Sequence, residues 1–142
     1  VDSFMWVLNS ISANFTKTYG AVLGSTSDDV LSSVATISTG LSQYSWILVG
    51  NTRGALAGPN PTGSKDAFAV KVTQEPSGFA VRWFWQSSTA GDEEFLGIDL
   101  NSTDINSNSG MMQVVGASTS AFPAYASPFG LSDAYRVRLT GF

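Results

Sequence analysis

Short stretches in which apolar and polar residues alternate recur along the chain. Residues 66–72 read Asp-Ala-Phe-Ala-Val-Lys-Val, and residues 133–139 read Asp-Ala-Tyr-Arg-Val-Arg-Leu. A period of two places successive side chains on opposite faces of a β-strand. The pattern predicts strands that begin with Asp followed by an aromatic residue, here called Asp-aromatic strands. Each is expected to bury its aromatic face and to expose the other face to solvent.

The Asp-aromatic pattern is part of an internal repeat. It occurs a third time at residues 2–8, so the three copies are separated by 64 and 67 residues. Between them, the acidic pair Asp28-Asp29 corresponds to Asp92-Glu93 at an offset of 64. Self-similarity at a fixed period is typical of repeat architectures. We therefore assign repeats to residues 2–65 and 66–132, with a third copy of the Asp-aromatic strand at 133–142.

Each repeat is expected to contain four short strands. In the second repeat they lie near residues 66–72, 81–86, 95–100 and 111–116, and Ser/Gly/Pro-rich segments separate the repeats. Residues 27–31 allow one turn of helix, because Ser27 is a good N-cap and acidic residues follow it. The predicted fold is one all-β domain over residues 1–142 with two tandem four-stranded antiparallel propeller-like blades. An extra edge strand lies at a terminus, and sandwich-like packing of the sheets is the alternative.

The order of short motifs resembles the β-propeller repeats known as SBBP repeats, which occur in large secreted and surface proteins. The residues that carry the resemblance are Gly24, Asp28, Val49-Gly50-Asn51-Thr52, Asp66-Ala67-Phe68, Val115-Gly116-Ala117-Ser118, Phe122-Pro123 and Asp133-Ala134-Tyr135. The resemblance implies that each repeat is a four-stranded blade without catalytic residues. The chain departs from the family at Leu56-Ala57, where Phe-Pro is expected, and in its longer segment 101–110. Two repeats are also too few to close a propeller, which has about four to eight blades.

The composition narrows the function classes. The chain has 142 residues and a net charge of −4, with seven Lys and Arg spread singly, so no nucleic-acid-binding surface is expected. It has no His and no Cys, which excludes His-dependent nucleophilic catalysis, Cys-dependent chemistry and disulfides. No apolar run reaches the roughly 18 residues of a membrane-spanning helix. Its 21 Ser and 12 Thr are typical of extracellular or cell-surface β-proteins. We expect that the protein is not an enzyme and that it binds no cofactor.

Two kinds of candidate site remain. The sequons Asn14-Phe15-Thr16 and Asn101-Ser102-Thr103 make Asn14 and Asn101 candidate glycosylation sites. The recurring acidic turns at Asp28 and Asp92 leave calcium binding open, since hard cations prefer oxygen ligands. A solvated turn that protects a sheet edge is the alternative. Asp28 and Asp92 are also the only natural pair for carboxylate catalysis, but their equivalence in the repeat gives them a structural reason to recur.

The first Asp-aromatic strand, Asp2 to Leu8, is expected to be detached from the strands that would complete its blade. Three arrangements are then open. The chain is an excerpt of a larger repeat array, it folds as a compact sandwich, or it forms a polymer in which a terminal strand of one copy completes the sheet of its neighbour. In the last case Phe4, Trp6 and Leu8 would fill the neighbour's pockets. We expect an extracellular structural subunit that forms a homopolymeric filament by head-to-tail assembly. The alternative is a carbohydrate- or protein-binding adhesion module of a larger surface protein, with exposed aromatics such as Trp46 and Tyr125 contacting glycans.

Overall fold

All of the regular secondary structure in the described residues is β-strand. The computed structural model describes residues 3–11, 14–40, 43–56, 65–87, 89–100, 111–120 and 133–140, and only the backbone of residues 3–23, 38–40, 43 and 140. The strands are β1 (Ser3–Ile11), β2 (Asn14–Leu23), β3 (Asp29–Gly40), β4 (Gln43–Thr52), β5 (Asp66–Glu75), β6 (Gly78–Gln86), β7 (Glu93–Leu100), β8 (Met111–Ser118) and β9 (Asp133–Thr140). The predicted all-β class is confirmed.

The strands form three antiparallel sheets of consecutive strands. The N-terminal sheet has the order β1-β2, the central sheet β3-β4-β5-β6 and the C-terminal sheet β7-β8-β9. Among the described residues, no strand connects one sheet to another, so the sheets do not close into a propeller. Two four-stranded sheets were predicted, and among the described residues only the central sheet has four strands. The breaks between sheets fall at residues 24–28 and 87–92, and β4 and β5 pair across the expected repeat boundary at residues 65 and 66.

The pairing registers repeat along with the sequence. In the β1–β2 pair Val7 lies opposite Tyr19, and in the β5–β6 pair Lys71 lies opposite Trp83. Each of these residues is 64 positions from its counterpart. A register shift follows immediately after Val7 and after Lys71. Counterparts therefore occupy the same positions in their sheets: β1, β5 and β9 are equivalent, as are β2 and β6, β3 and β7, and β4 and β8.

Two local predictions are wrong. The first Asp-aromatic strand is not detached: over the described residues 3–8 it is part of β1, which pairs with β2, and only two residues separate these strands. Short connections favour such antiparallel hairpins. The turn of helix over residues 27–31 is absent as well: bends at Thr26 and Ser27 lead into β3 at Asp29. The β-branched residues that follow favour the extended strand.

Each face of the central sheet carries a cluster of buried apolar residues. On the face toward the C-terminal sheet, Ile47, Val49, Ala67 and Ala69 form a cluster with Phe95 and other residues of β7 and β8. The opposite face carries a second cluster, which consists of Trp46, Leu48, Phe68, Val70 and Val72. In the N-terminal sheet, β1 lies next to β3 and β2 lies next to β6. The central sheet therefore has one apolar cluster on each face, and the C-terminal sheet covers the first of them.

The packing of the C-terminal sheet on the central sheet contradicts the expectation that every Asp-aromatic strand exposes one face to solvent. In β5, Ala67 and Ala69 are fully buried, because the C-terminal sheet covers them. In β9 the predicted alternation holds, since Arg136 and Arg138 are exposed whereas Val137 is half-buried. The repeat position of Ala69 is therefore apolar and buried beneath the C-terminal sheet, whereas its counterpart Arg136 is charged and exposed.

The recurring Val-Gly pair has a steric cause. A Cβ atom on Gly50 would lie 1.9 Å from the carbonyl oxygen of Val30, and one on Gly116 would lie 2.0 Å from that of Glu94. Both contacts are far below van der Waals distance. Each glycine lies opposite a register shift in the strand before it, next to Leu31 in β3 and at Phe95 in β7. The repeat therefore needs glycine where a bulge brings two backbones together.

Candidate functional site

The acidic turns are the first candidate, and the second acidic residue of each pair is buried. Asp29 is only 2% exposed. Its Oδ1 accepts hydrogen bonds from the hydroxyls of Thr52 at 2.5 Å and Ser25 at 3.1 Å, and its Oδ2 accepts one from the Ser25 backbone N–H at 2.6 Å. Thr52 Oγ1 in turn accepts the N–H of Gly54. A buried carboxylate is tolerated when such donors surround it. This cluster joins the start of β3 to the end of β4.

Glu93 forms the equivalent cluster at the start of the C-terminal sheet. It is fully buried, and its Oε1 accepts hydrogen bonds from Ser120 at 2.8 Å and from Thr89. Its Oε2 accepts one from Ser87 at 3.1 Å. Ser118 Oγ lies 3.4 Å from Oε1. A hydroxyl cluster around one carboxylate therefore recurs at the same end of two successive sheets, which is a structural role for the acidic turns.

Asp66, the first residue of β5, is the third buried carboxyl group. Its Oδ2 accepts a hydrogen bond from Gln86 Nε2 at 2.9 Å, whereas its buried Oδ1 has no partner among the described residues. Burial raises the pKa of this carboxyl group, the Gln86 hydrogen bond opposes the rise, and the charge of Glu93 adds to it. Burial also raises the pKa of Tyr135, whose hydroxyl donates to the Glu94 carbonyl at 3.0 Å.

A small cavity of about 120 Å³ lies beside the second acidic turn. Lys65 lines this cavity and pairs with its acidic residues. The Nζ of Lys65 is 3.2 Å from Glu94 Oε2, and the backbone N–H of Lys65 donates a hydrogen bond to Asp92 Oδ1 at 3.1 Å. Among the described residues, no group of three or more acidic side chains is placed to hold a metal ion. Asp28 and Asp92 lie at the starts of two different sheets, and each backbone carbonyl accepts an N–H from the residue after β4 or β8.

The open edges of the terminal sheets are the second candidate. Phe4, Trp6 and Leu8 belong to β1, which pairs with β2 on one edge. No described strand pairs with its other edge, or with the edge of β9 that faces away from β8. Asn14 is the first residue of β2, whereas Asn101 lies outside the described residues.

The outer face of the C-terminal sheet is exposed, as the alternation of β9 predicted, and it carries apolar residues of β7 and β8 that sequence analysis did not single out. Leu96 is 54% exposed and Val115 is 48% exposed, and a Cβ on Gly97 would lie 3.3 Å from Val115 Cγ2. Arg136 and Arg138 lie on the same face and are exposed. The strand alternation was visible in the sequence. What it did not show is that the exposed apolar residues Leu96 and Val115 lie beside these arginines.

The expected aromatic platforms are only partly available. Trp46 is buried, so it cannot stack on a glycan, and Tyr125 lies outside the described residues. Trp85 stacks on Phe95 within the core. Tyr44 is the aromatic residue among the large exposed apolar side chains, and its ring centroid lies 6.2 Å from that of Trp46.

Within the described segments, none of the secondary structure is a helix long and apolar enough to cross a membrane. Comparison of the chain with protein-family models, with curated proteins and with solved structures gives no match.

Proposed function

We propose that this protein is an extracellular structural subunit that assembles head-to-tail into a filament through its two terminal sheets. The observation that carries the proposal is that, among the described residues, the outer edges of the two terminal sheets have no strand partner. The N-terminal sheet contains the counterparts of β5 and β6 only, and the C-terminal sheet contains the counterparts of β3, β4 and β5. Open sheet edges pair readily with another chain unless they are covered.

The pairing of β1 with β2 bears on how copies would join. Donation of β1 alone to a neighbour would break its pairing with β2. We therefore propose contacts between intact terminal sheets, in place of the simple strand donation that a detached strand would allow. A contact between two different surfaces does not close on itself and generates a helical filament.

The composition supports an extracellular setting. The chain combines few charges with many Ser and Thr, and it contains no Cys whose oxidation could alter it. Glycosylation at Asn14 or Asn101 is part of the proposal. We also propose that the two repeats are related to the SBBP repeats of secreted and surface proteins, on the motifs given above.

Electron microscopy of the native protein over a concentration series tests the proposal. We expect filaments with a regular axial rise and a concentration-dependent increase in sedimentation coefficient. Deletion of residues 1–8 should abolish both, while the near-ultraviolet circular dichroism of the buried Trp46 and half-buried Trp85 remains.

Dispersed particles at every concentration would contradict the filament. Retention of a glycan or protein ligand by such particles would favour the adhesion module instead. Filaments that form equally well after the deletion would show that the N-terminal sheet is not an assembly surface.

A further inference from the structure

The outer edge of β3 is an open edge of the central sheet. Among the described residues, β3 is paired as a strand with β4 alone, on one of its two sides. β1 and β7 lie near β3, but in the described part of the chain neither forms a strand pair with it. An open edge offers backbone donors and acceptors to which another chain can add a strand, and natural proteins usually protect it with charge, proline or a bulge.

β3 has little of this protection. Residues 30–40 read Val-Leu-Ser-Ser-Val-Ala-Thr-Ile-Ser-Thr-Gly, without a charged residue or a proline. The pairing with β4 is regular across residues 33–37, so no bulge interrupts this stretch. Val34 is 55% exposed, and Thr36 is exposed as well. Residues 33–37, here called the β3 edge segment, are therefore uncharged, regular and rich in β-branched residues, which favour strand pairing.

Two comparable edges of the molecule do carry charge. On β6, the opposite edge strand of the central sheet, Arg82 lies at a register shift and its guanidinium pairs with Glu75. On β7, the counterpart of β3 in the next sheet, the repeat position of Ala35 is taken by the exposed Asp99. Bulges and charges of this kind hinder the addition of a further strand. The β3 edge segment has no equivalent of either residue.

We propose that the β3 edge segments of two copies pair antiparallel about a two-fold axis at Ala35, which joins their central sheets into one continuous sheet. In this register Val34 lies opposite Thr36 of the second copy, and Ser33 lies opposite Ile37. The segment fits a second copy of itself because no like charges meet and β-branched residues lie across from each other. The contact is isologous and lateral, so it is distinct from the proposed head-to-tail assembly.

The register keeps the faces of the two joined sheets continuous. Within the chain Val34 pairs with Leu48 and Thr36 pairs with Trp46, and both partners belong to the second apolar cluster. Val34 and Thr36 therefore lie on the same face of the sheet. Placing them opposite each other in the two copies continues that face, whereas a slip by one residue would set residues of opposite faces against each other.

Disulfide trapping tests the pairing and its register, since the chain contains no cysteine of its own. The two copies of residue 35 would lie directly opposite each other, with Cα atoms about 4.5 to 5.5 Å apart, which is within the range of a disulfide. The matched control is Val81→Cys, at a residue of β6 that is 59% exposed. Under mild oxidation Ala35→Cys should give at least about ten times as much covalent dimer, because the control thiols must meet by diffusion.

Charge variants test the same contact without a covalent bond. Val34→Lys combined with Thr36→Lys sets lysines opposite each other at two positions, and should raise the dissociation constant of the lateral dimer by at least about tenfold. Val34→Lys combined with Thr36→Glu sets Lys opposite Glu instead, and should stay within about twofold of the parent. Sedimentation below the concentration at which filaments form measures each constant.

A second control separates charge as such from its position. Val81→Lys combined with Ser77→Lys adds the same charge at exposed residues of the opposite edge and its turn, and should leave the dissociation constant within about twofold of the parent. Thermal melting of every variant checks that the fold is retained.

The outcomes decide the inference independently of the filament. Equal yields of covalent dimer from Ala35→Cys and Val81→Cys would overturn it, as expected if another segment such as β1 covers the β3 edge. Equal dissociation constants for the parent and the variant with two lysines on β3 would overturn it as well. Filaments of the parent are observed separately by electron microscopy, so either proposal can fail while the other stands.

Discussion

The ring of Trp85, at the end of the central sheet, stacks on the ring of Phe95 in the C-terminal sheet, with centroids 5.5 Å apart and ring planes inclined by 24°. Phe95 is fully buried and also contacts the ring of Tyr135 at 6.0 Å. This aromatic group joins two sheets that share no backbone strand pairing. Side-chain packing between the two sheets therefore holds them together, along with the hydrogen bond that the Glu93 backbone N–H donates to the Lys65 carbonyl.

Truncation of Phe95 should destabilise the protein strongly. We expect Phe95→Ala to lower the free energy of unfolding by about 3 to 5 kcal/mol, because it removes a fully buried ring and leaves a cavity. The neighbouring Leu96→Ala is the matched control, and since Leu96 points outward it should cost less than about 1 kcal/mol. Urea denaturation followed by tryptophan fluorescence measures both. Equal losses in the two variants would contradict the layered packing.

Glycine at the bulge should be essential in both sheets. Gly50→Ala and Gly116→Ala should each lower the free energy of unfolding by about 2 to 3 kcal/mol, since the added Cβ atom would overlap a backbone carbonyl oxygen. Gly97→Ala serves as the control, because its Cβ would meet only the end of the Val115 side chain. The measurement is the midpoint of urea denaturation, compared between variants in which the unfolding free energy depends on urea concentration with the same slope. A tolerated Gly116→Ala would mean that the backbone at the bulge can move apart.

Glu93 should contribute more to stability than the adjacent Glu94. Glu93→Ala leaves several buried hydroxyls without an acceptor, and we expect a loss of about 3 kcal/mol in the free energy of unfolding. Glu94→Ala removes a partly exposed ion pair with Lys65 and should cost less than about 1 kcal/mol. Calorimetric melting distinguishes the two. Similar melting temperatures for both variants would argue against the hydroxyl cluster as a stabilising unit.

Asp66 should make stability depend on pH. Burial raises its pKa in the folded state above the ordinary value of 3.8, so the folded protein binds its proton more tightly than the unfolded chain. Stability from this group is therefore present below pH 3.8 and is lost as the pH rises through the folded-state pKa. Asp66→Asn cannot ionise, so its free energy of unfolding should increase relative to that of the parent over this pH interval. Urea titrations at closely spaced pH values test this, and a constant difference between the two proteins would refute it.

Much of the architecture followed from the sequence alone. Period-two alternation predicted the strands, and the repeat at offsets of 64 to 67 predicted equivalent positions that the registers at Val7 and Lys71 confirm. The turn at Pro76 and Ser77 lies between two of the predicted strands, and Gly78 after it has a φ of 139°, which glycine adopts readily. These features are local, and a residue's neighbours in the chain suffice to specify them.

Only the tertiary structure decided which faces and carboxylates are buried. Ala67 and Ala134 occupy the same repeat position, yet Ala67 is buried beneath a further sheet and Ala134 is exposed. Likewise, Asp28 and Asp29 are chemically identical neighbours, and packing buries only the second among hydroxyls from β4 and the preceding loop. The physical reason is that alternation fixes the side of the strand on which a residue lies. Whether that side is dry depends on the layers that stack on it, and residues distant in the sequence supply those layers.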